Sequence, residues 1–153
     1  MDNSNKLDFT GQPIFIGLDV HKKSWSVSIH SGECEHKTFT QPPEVDLLVN
    51  YLRRNFPGAS YHSVYEAGYS GFWVHDQLTQ RGVVCKVANP ADVPTKDKER
   101  RKKRDRVDCR KLARSLRAGE IEGIYVPCRQ KLEDRSLVRT RQSMVRKQTR
   151  CKN

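Results

Sequence analysis

Three segments near the N-terminus carry the hydrophobic pattern of β-strands. Five of the seven residues of Ile14–Val20 are large and apolar, which is typical of a strand buried on both faces. Residues 24–30 alternate between apolar and polar side chains, which predicts a half-buried antiparallel strand. Ser31-Gly32 is a hairpin signal, and residues 34–41 predict a third, more polar strand.

Helices and strands alternate in the next block. The apolar spacing and the Pro and Gly positions predict helices over residues 44–55 and 72–81 and strands over residues 61–67 and 83–87. The order is then β-β-β-α-β-α-β. Three hairpin-linked strands followed by βα units predict an α/β fold, with a mixed sheet flanked by helices.

The last third of the chain has a different pattern. Residues 89–104 contain two prolines and a basic run, which is typical of a linker. Residues 105–118 have helical spacing again and end before Gly119, and residues 121–126 predict a short extended piece. From Arg129 onward, a thin apolar stripe predicts a long helix whose partner lies in another chain or in further sequence.

These patterns divide the chain into three parts. We expect a disordered lead-in over residues 1–12, one domain over residues 13–127, and the start of a connecting helix over residues 128–153. The chain stops without a helix C-cap signal. We therefore expect it to represent part of a longer protein.

Charge is distributed unevenly along the chain. Residues 1–95 hold 8 Lys and Arg against 10 Asp and Glu, whereas residues 96–153 hold 21 against 8. A near-neutral part followed by a basic part is typical of a protein that binds a polyanion, nucleic acid before a membrane surface. The basic run has no amphipathic apolar face, which disfavours a membrane. A solvated linker is the alternative interpretation.

The cysteines and apolar runs exclude other classes of protein. The five cysteines are widely spaced and form no CxxC pair, so they indicate neither a zinc site nor a disulfide framework. The sequence contains no run of 18 apolar residues, so it predicts no transmembrane helix. The N-terminus is polar and lacks the apolar core of a signal peptide. Free thiols fit a reducing cytoplasm.

Four carboxylates stand at the ends of predicted elements. Asp19 and Glu66 each end a strand, and neighbouring strand ends can meet in a mixed sheet. Asp105 and Asp108 are three residues apart at a helix start, so they share one face. If that helix crosses the sheet edge, the four acids supply oxygen ligands for two Mg²⁺ ions, which can clamp the reacting oxygens of a phosphodiester.

Each of these acids also has a plainer interpretation. Asp19 fits a turn aspartate, or a partner of a basic side chain. Asp105 and Asp108 fit favourable charges at a helix N-terminus, or partners of nearby arginines. The spacing alone leaves these alternatives open.

Other side chains are candidates for nucleic-acid contact. The basic residues near the predicted linker and the first strand would bind phosphates with strong salt dependence and little sequence preference. They are Lys22, Lys102, Lys103, Arg104, Arg106, Arg110, Lys111 and Arg114. His21, Tyr69 and Ser70 border the strand acids and fit either phosphate contact or a turn role. Trp25 and Trp73 fall on apolar faces, so we interpret both as core residues.

Four stretches of the sequence resemble one family. They read FIGLDVHKKSWSVSI, YEAGYSGFWVHDQL, KRDRVDCRKLARSLRAGEI and YVPCRQKLEDRSLVRTR. In this order and spacing they closely resemble the N-terminal half of the DEDD-type insertion-sequence transposases, the bridge-RNA-guided recombinases. The resemblance runs from about Ile14 to the end of the chain. It implies a RuvC-like, ribonuclease-H-type fold followed by a long C-terminal helix.

The resemblance also implies a site and partners. The metal-binding acids of the family match Asp19, Glu66, Asp105 and Asp108. The family usually has Thr where this chain has Arg104 and commonly Ala where it has Cys109, and neither departure removes a carboxylate. The implied cofactor is Mg²⁺ or Mn²⁺. The implied partners are DNA and a guide (bridge) RNA, in the cytoplasm of a bacterial or archaeal cell and associated with its nucleoid. The apolar stripe of the C-terminal helix adds a second copy of the chain as an expected partner.

Family members carry a further C-terminal domain with a catalytic serine, and nothing in these residues matches it. Ser136 and Ser143 lie on the predicted long helix, and we interpret them as surface residues. We therefore expect this chain to be the metal- and RNA-binding half of a transposase that cleaves and transfers DNA strands. By itself, this half is expected to be inactive for full transposition. Two rivals remain: a non-catalytic RNA- or DNA-binding and dimerisation module, and a stand-alone RuvC-like nuclease.

Overall fold

The first apolar run of the chain forms the central strand of a five-stranded sheet. The computed structural model describes residues 8–93 and 105–152, with only the backbone of residues 105, 106 and 152. The strands are β1 (Pro13–Val20), β2 (Trp25–Ser31), β3 (Cys34–Gln41), β4 (Ser60–Glu66) and β5 (Val84–Ala88). Their order is β3-β2-β1-β4-β5, with β1 antiparallel to β2 and parallel to β4. The predicted mixed sheet is confirmed.

In the described residues, four α-helices follow or separate these strands. They are α1 (Val45–Asn55), α2 (Trp73–Gln80), α3 (Asp105–Arg117) and α4 (Arg129–Lys152). The predicted first residue of every helix and strand lies within one residue of the observed one. The same holds for every predicted last residue; no end was predicted for α4. The predicted extended piece over residues 121–126 forms no strand, and one backbone hydrogen bond of 2.7 Å, from Ile124 to Val87, joins it to β5. Residues 94–104 of the predicted linker lie outside the described part of the chain.

Different helices cover the two faces of the sheet. Ile14, Ile16 and Leu18 alternate along β1 and are fully buried in the larger core, under α1 and α2. Phe15 points the other way, into a smaller apolar cluster that Leu112 of α3 helps to form. The alternation follows from the period of two along a strand, so one strand serves two cores.

Trp25 and Trp73 have opposite environments. Trp25 is 1% exposed and belongs to the larger core, as the sequence pattern predicts. Trp73 is 53% exposed, so its prediction as a core residue is wrong. It is the first residue of α2, where Val74 and Leu78 already supply the buried face of this short helix.

Helix α3 packs directly onto β1 at Gly17. A Cβ atom at this position would overlap the carbonyl oxygen of Cys109 and lie 2.6 Å from the backbone nitrogen of Ala113. A glycine inside a strand allows another backbone this close approach. The contact therefore sets where the start of α3 lies relative to the end of β1.

The N-terminal residues before β1 pack on the domain. The rings of Phe9 and Phe56 meet edge to face with centroids 5.1 Å apart, and the Phe9 nitrogen donates to the Pro57 oxygen at 3.1 Å. Residues 8–12 of the predicted lead-in are therefore part of the packed structure, while residues 1–7 lie outside the described chain.

Helix α4 is exposed along most of its length. Its 24 residues correspond to about 36 Å of helix. The four large apolar side chains of its outer part are more than half exposed: Leu137, Val138, Met144 and Val145. None of the helices in the described chain is both long and apolar enough to cross a membrane.

A polar network, buried at His30 and Ser28 and open to solvent at Glu35 and Arg110, lies between α3 and the hairpin of β2 and β3. His30 is 3% exposed, and its Nε2 lies 2.9 Å from the Ser28 hydroxyl oxygen. The Thr38 hydroxyl lies 3.0 Å from that oxygen and donates to Glu35 at 2.7 Å. The Arg110 Nε of α3 also donates to Glu35, at 2.7 Å. The network therefore joins α3 to β3 through hydrogen-bonded polar side chains.

We expect the stability of the domain to fall as the pH is lowered below about 6.5. Burial lowers the pKa of His30 from its usual 6.5, with Glu35 raising it and Arg114, Arg117 and Arg110 lowering it further. The unfolded chain then binds a proton that the folded chain does not, so protonation favours unfolding from about pH 6.5 down to the folded-state pKa.

Urea unfolding between about pH 7.5 and pH 5.5 measures this effect. The pKa of Glu35 is also lowered, first by the Thr38 hydroxyl and then by Arg110. Protonation of that carboxylate changes the stability only below its usual pKa of 4.5, which is outside this pH range. His30→Gln should flatten the pH dependence, while His62→Gln, on the same sheet face, should retain it. An unchanged slope in His30→Gln would count against the role of His30.

Candidate metal and nucleic-acid site

Strands β1 and β4 bring two carboxylates to one edge of the sheet. In the parallel register Leu18 lies opposite Tyr65, so Asp19 and Glu66 are the next residues of the two strands. Alternate residues of a strand face the same side of the sheet, and Phe15 of β1 and Val64 of β4 face α3. Asp19 lies four residues after Phe15 and Glu66 two residues after Val64, so both acids are on the α3 side. Adjacent strands lie about 4.8 Å apart. The sheet therefore places these acids side by side, as the strand pattern predicts.

The start of α3 lies beside this pair. Cys109 is fully buried against β1, and burial, followed by the negative charge of Asp19, raises the pKa of its thiol to about 12. Asp108 precedes Cys109 and is partly buried, and Asp105 is the first residue of α3. The helix that carries the second predicted pair of acids thus begins next to the strand pair.

The described side chains do not form a complete metal site. Among them, no three His, Cys, Asp or Glu groups are close enough to hold an ion. The side chain of Asp105 lies outside the described residues. The structure therefore brings Asp19 and Glu66 together and places the backbone of α3 beside them, without joining Asp108 to the pair as a third ligand.

The chemistry of the strand pair suits a hard divalent cation. Asp19 is 21% exposed at the side chain, and its Oδ2 lies 3.2 Å from Nε2 of His21, which is 52% exposed. Mg²⁺ takes oxygen ligands from one or two carboxylates and keeps several waters, so an open edge with two carboxylates fits it. His21 contacts one of the two oxygens of the Asp19 carboxylate.

The predicted phosphate-contacting residues occupy different environments. Lys22 lies at the same sheet edge, with its Nζ 5.6 Å from the centre of the Tyr69 ring. Arg110 donates to Glu35 and, at 3.2 Å, to Thr38, so it serves the network under α3. Arg114 is exposed and Lys111 is partly buried. Lys102, Lys103 and Arg104, and the side chain of Arg106, lie outside the described residues.

Two features of this region were not anticipated from the sequence. Gly17 brings α3 onto β1, and the pattern that reveals it is a glycine in the middle of an otherwise continuous apolar strand. Trp73 is exposed near Tyr69 and Lys22. Its position in the first turn of a short helix is the sequence feature that could have indicated this exposure.

The fold and the acidic edge together define a class of protein. A mixed sheet of order β3-β2-β1-β4-β5, with an antiparallel hairpin on one side and helices on both faces, has the ribonuclease-H-like architecture. The sequence matches the profile of the IS110-type DEDD transposases over residues 16–153. The chain belongs to this transposase family, and the resemblance drawn from its four stretches is confirmed.

Three curated relatives are also similar to the chain. An inferred transposase of Sinorhizobium fredii, y4rJ, is 29% identical in an alignment that covers 92% of this chain and 40% of the relative. The transposase for insertion sequence element IS1533 of Leptospira borgpetersenii is 27% identical, over 86% of this chain and 39% of its own length. The match to a second Sinorhizobium fredii relative, y4qE, covers 34% of that relative's length. The chain thus spans well under half the length of these relatives.

Proposed function

We propose that this chain is the metal-binding part of a DNA transposase that cleaves and transfers DNA strands with Mg²⁺ or Mn²⁺. The observation that supports it most is the pair Asp19 and Glu66, adjacent on one sheet face with the start of α3 packed beside them. Membership of a transposase family supports DNA as the substrate.

The four acids would hold the metal in this proposal. Asp19 and Glu66 supply carboxylates from the rigid sheet, and Asp105 and Asp108 supply carboxylates from α3. A divalent ion held there would supply polarisation of the scissile phosphate and stabilisation of charge on the reacting oxygens. His21 is a positioning residue, because its contact with Asp19 Oδ2 restricts the rotation of that carboxylate.

The basic residues would hold the nucleic acid. Arg114 and Lys111 on α3, Lys22 at the sheet edge and the basic segment before α3 supply the positive charge. Phosphate contacts of this kind position a strand but do not recognise its sequence, so another molecule must select the target. We propose a structured guide RNA for that role, as the family resemblance implies, bound by the same basic surface.

The exposed stripe of α4 would meet a helix of the same kind. Leu137, Val138, Met144 and Val145 are apolar and exposed, which is costly on an isolated helix in water. We propose that α4 pairs with a second copy, or with the remainder of a longer protein such as the relatives. That remainder would supply the serine domain, so the chain alone would not complete transposition.

A binding module without catalysis is the second candidate function. The observation that favours it is that no three candidate ligands converge among the described side chains. A stand-alone nuclease is the opposite alternative, in which the four acids cut branched or single-stranded DNA unaided.

Incubation of the purified chain with branched DNA and Mg²⁺ separates these functions. If the acids act, we expect cleavage that chelation of the metal and Asp19→Asn both abolish. Glu33→Gln is the matched control, because the Gly32-Glu33 turn lies at the end of the sheet where β1 begins. Tight binding without cleavage in the wild-type chain would support the binding module. Cleavage unchanged in Asp19→Asn would contradict the proposal.

A further inference from the structure

An aromatic cleft lies at the sheet edge near the acidic pair. It has a volume of about 280 Å³ and is lined by Val20, Lys22, Trp25, Pro43, Tyr69, Ser70, Trp73 and Val74. This is close to the lower end of the range of ligand pockets, about 300 to 1,000 Å³. Trp25 is 1% exposed and supplies a buried wall. The cleft suits a flat group about the size of one nucleotide base.

Two aromatic side chains are exposed at this cleft. Tyr69 is 58% exposed and Trp73 is 53% exposed, although α2 buries its own apolar face with other residues. The Tyr65 hydroxyl donates to the Gly71 oxygen at 2.7 Å, which ties the intervening loop to β4. The aromatic residues are therefore presented on an anchored loop and a helix start.

The charge of the cleft suits a nucleic acid. Among the described residues that line it, Lys22 carries the only charge, and its Nζ lies 5.6 Å from the centre of the Tyr69 ring. A base stacked on an aromatic ring places its phosphate outside the cleft, within reach of a flexible lysine. A base inside a duplex already has both faces covered by its neighbours, so an unpaired base is the better occupant.

The cleft is next to the acids along both strands. Val20 follows Asp19 directly, and Tyr69 and Ser70 come three and four residues after Glu66. Val20 faces the larger core whereas Asp19 faces α3, so the cleft and the acids lie on opposite faces of the same sheet edge. A strand that crosses this edge would have a phosphate at the acids and a neighbouring base at the cleft.

We propose that the cleft binds one unpaired base of a single strand, next to the phosphate on which the acids act. Trp73 and Tyr69 stack on the base, and Lys22 contacts its phosphate. This inference deepens the proposed function, because it makes a locally unpaired strand the substrate. The stacking itself requires neither metal nor catalysis.

Fluorescence anisotropy in EDTA tests the proposal with the whole 153-residue chain. The probes are a labelled oligodeoxyuridylate, an oligouridylate of equal length, which differs from it only in the sugar, and a blunt DNA duplex. We expect Trp73→Ala to weaken single-strand binding by roughly fivefold to 100-fold and to leave duplex binding unchanged. Trp73→Phe should restore most of the affinity. Equal losses for the two single strands indicate that the base alone is held, and unequal losses indicate that the sugar is also contacted.

Tyr125→Ala is the matched control. Tyr125 is also an exposed tyrosine beside a lysine, with Lys131 Nζ 5.7 Å from its ring centre, but it lies outside the cleft. Single-strand binding unaffected by Trp73→Ala, or lowered equally for the duplex, would overturn the inference. So would a dimer of the chain that Trp73→Ala dissociates, because the occupant would then be a second copy.

Asp19→Asn distinguishes this inference from the proposed function. In EDTA the variant should bind single strands at least as tightly as the wild type, because it removes one negative charge beside the phosphate, and it should lose metal-dependent cleavage. If Trp73→Ala has no effect while Asp19→Asn abolishes cleavage, the cleft inference fails and the metal site stands. If Trp73→Ala weakens binding but Asp19→Asn leaves cleavage intact, the cleft stands and the metal site fails.

Discussion

Gly17→Ala is expected to destabilise the domain by about 3 kcal/mol or more, at or above the upper end for overpacking a core. The added methyl group would meet the Cys109 oxygen and the Ala113 nitrogen, which are both backbone atoms of α3. Backbone atoms cannot rotate away as a side chain can, so the helix must move as a unit. Urea unfolding followed by circular dichroism measures the loss.

The same substitution at Gly68 is the matched control. Gly68 lies near Glu66 and has no positive backbone φ, and a Cβ there would come no closer than 3.9 Å to the Glu66 oxygen. Gly68→Ala should therefore leave the free energy of unfolding close to that of the wild type. A Gly17→Ala variant as stable as the control would show that α3 does not rest on β1 at this residue.

Asp19→Asn and Glu66→Gln are each expected to lower Mn²⁺ affinity by at least about tenfold, since even residues that only support a ligand often contribute 10- to 100-fold. Each change replaces a charged oxygen ligand with a neutral amide of nearly the same shape. Isothermal titration calorimetry measures the affinity, and thermal unfolding in EDTA verifies that each variant is folded.

Glu33→Gln serves again as the control for loss of one negative charge, because its turn lies at the opposite end of the sheet. Its Mn²⁺ affinity should equal that of the wild type. If all three variants lose affinity to the same extent, the ion responds to overall charge rather than to a site. If none does, the strand acids do not bind it.

Asp108→Asn extends this comparison to α3. The described side chains do not join Asp108 to the strand pair, so its contribution depends on how α3 and the ion adjust to each other. A reduced affinity would assign the helix a ligand role. An unchanged affinity in both Asp105→Asn and Asp108→Asn would make these residues favourable charges at a helix N-terminus.

The sheet and the position of its acids could be predicted because their signals are local. The apolar run of β1, the alternation of β2 and the glycine- and proline-bounded segments each determine an element within a few residues. The hairpin and βα order then limits the strand neighbours, so that Asp19 and Glu66 reach one edge.

The other features depend on contacts between distant segments. The exposure of Trp73 follows from how α2 is rotated against the sheet, and an aromatic residue at a helix start does not report that rotation. Arg110 is bound to Glu35, which lies 75 residues earlier in the chain, so its helix pattern alone could not separate a structural role from phosphate contact. Gly17 is required by the helix above it rather than by its own strand.

Anomalous diffraction from crystals soaked in Mn²⁺ tests most directly whether the acids gather around a divalent ion. The account predicts an anomalous peak at the shared edge of β1 and β4, coordinated by Asp19 and Glu66 and by at least one carboxylate from the start of α3. A peak bound elsewhere, with none at the strand edge, would contradict it.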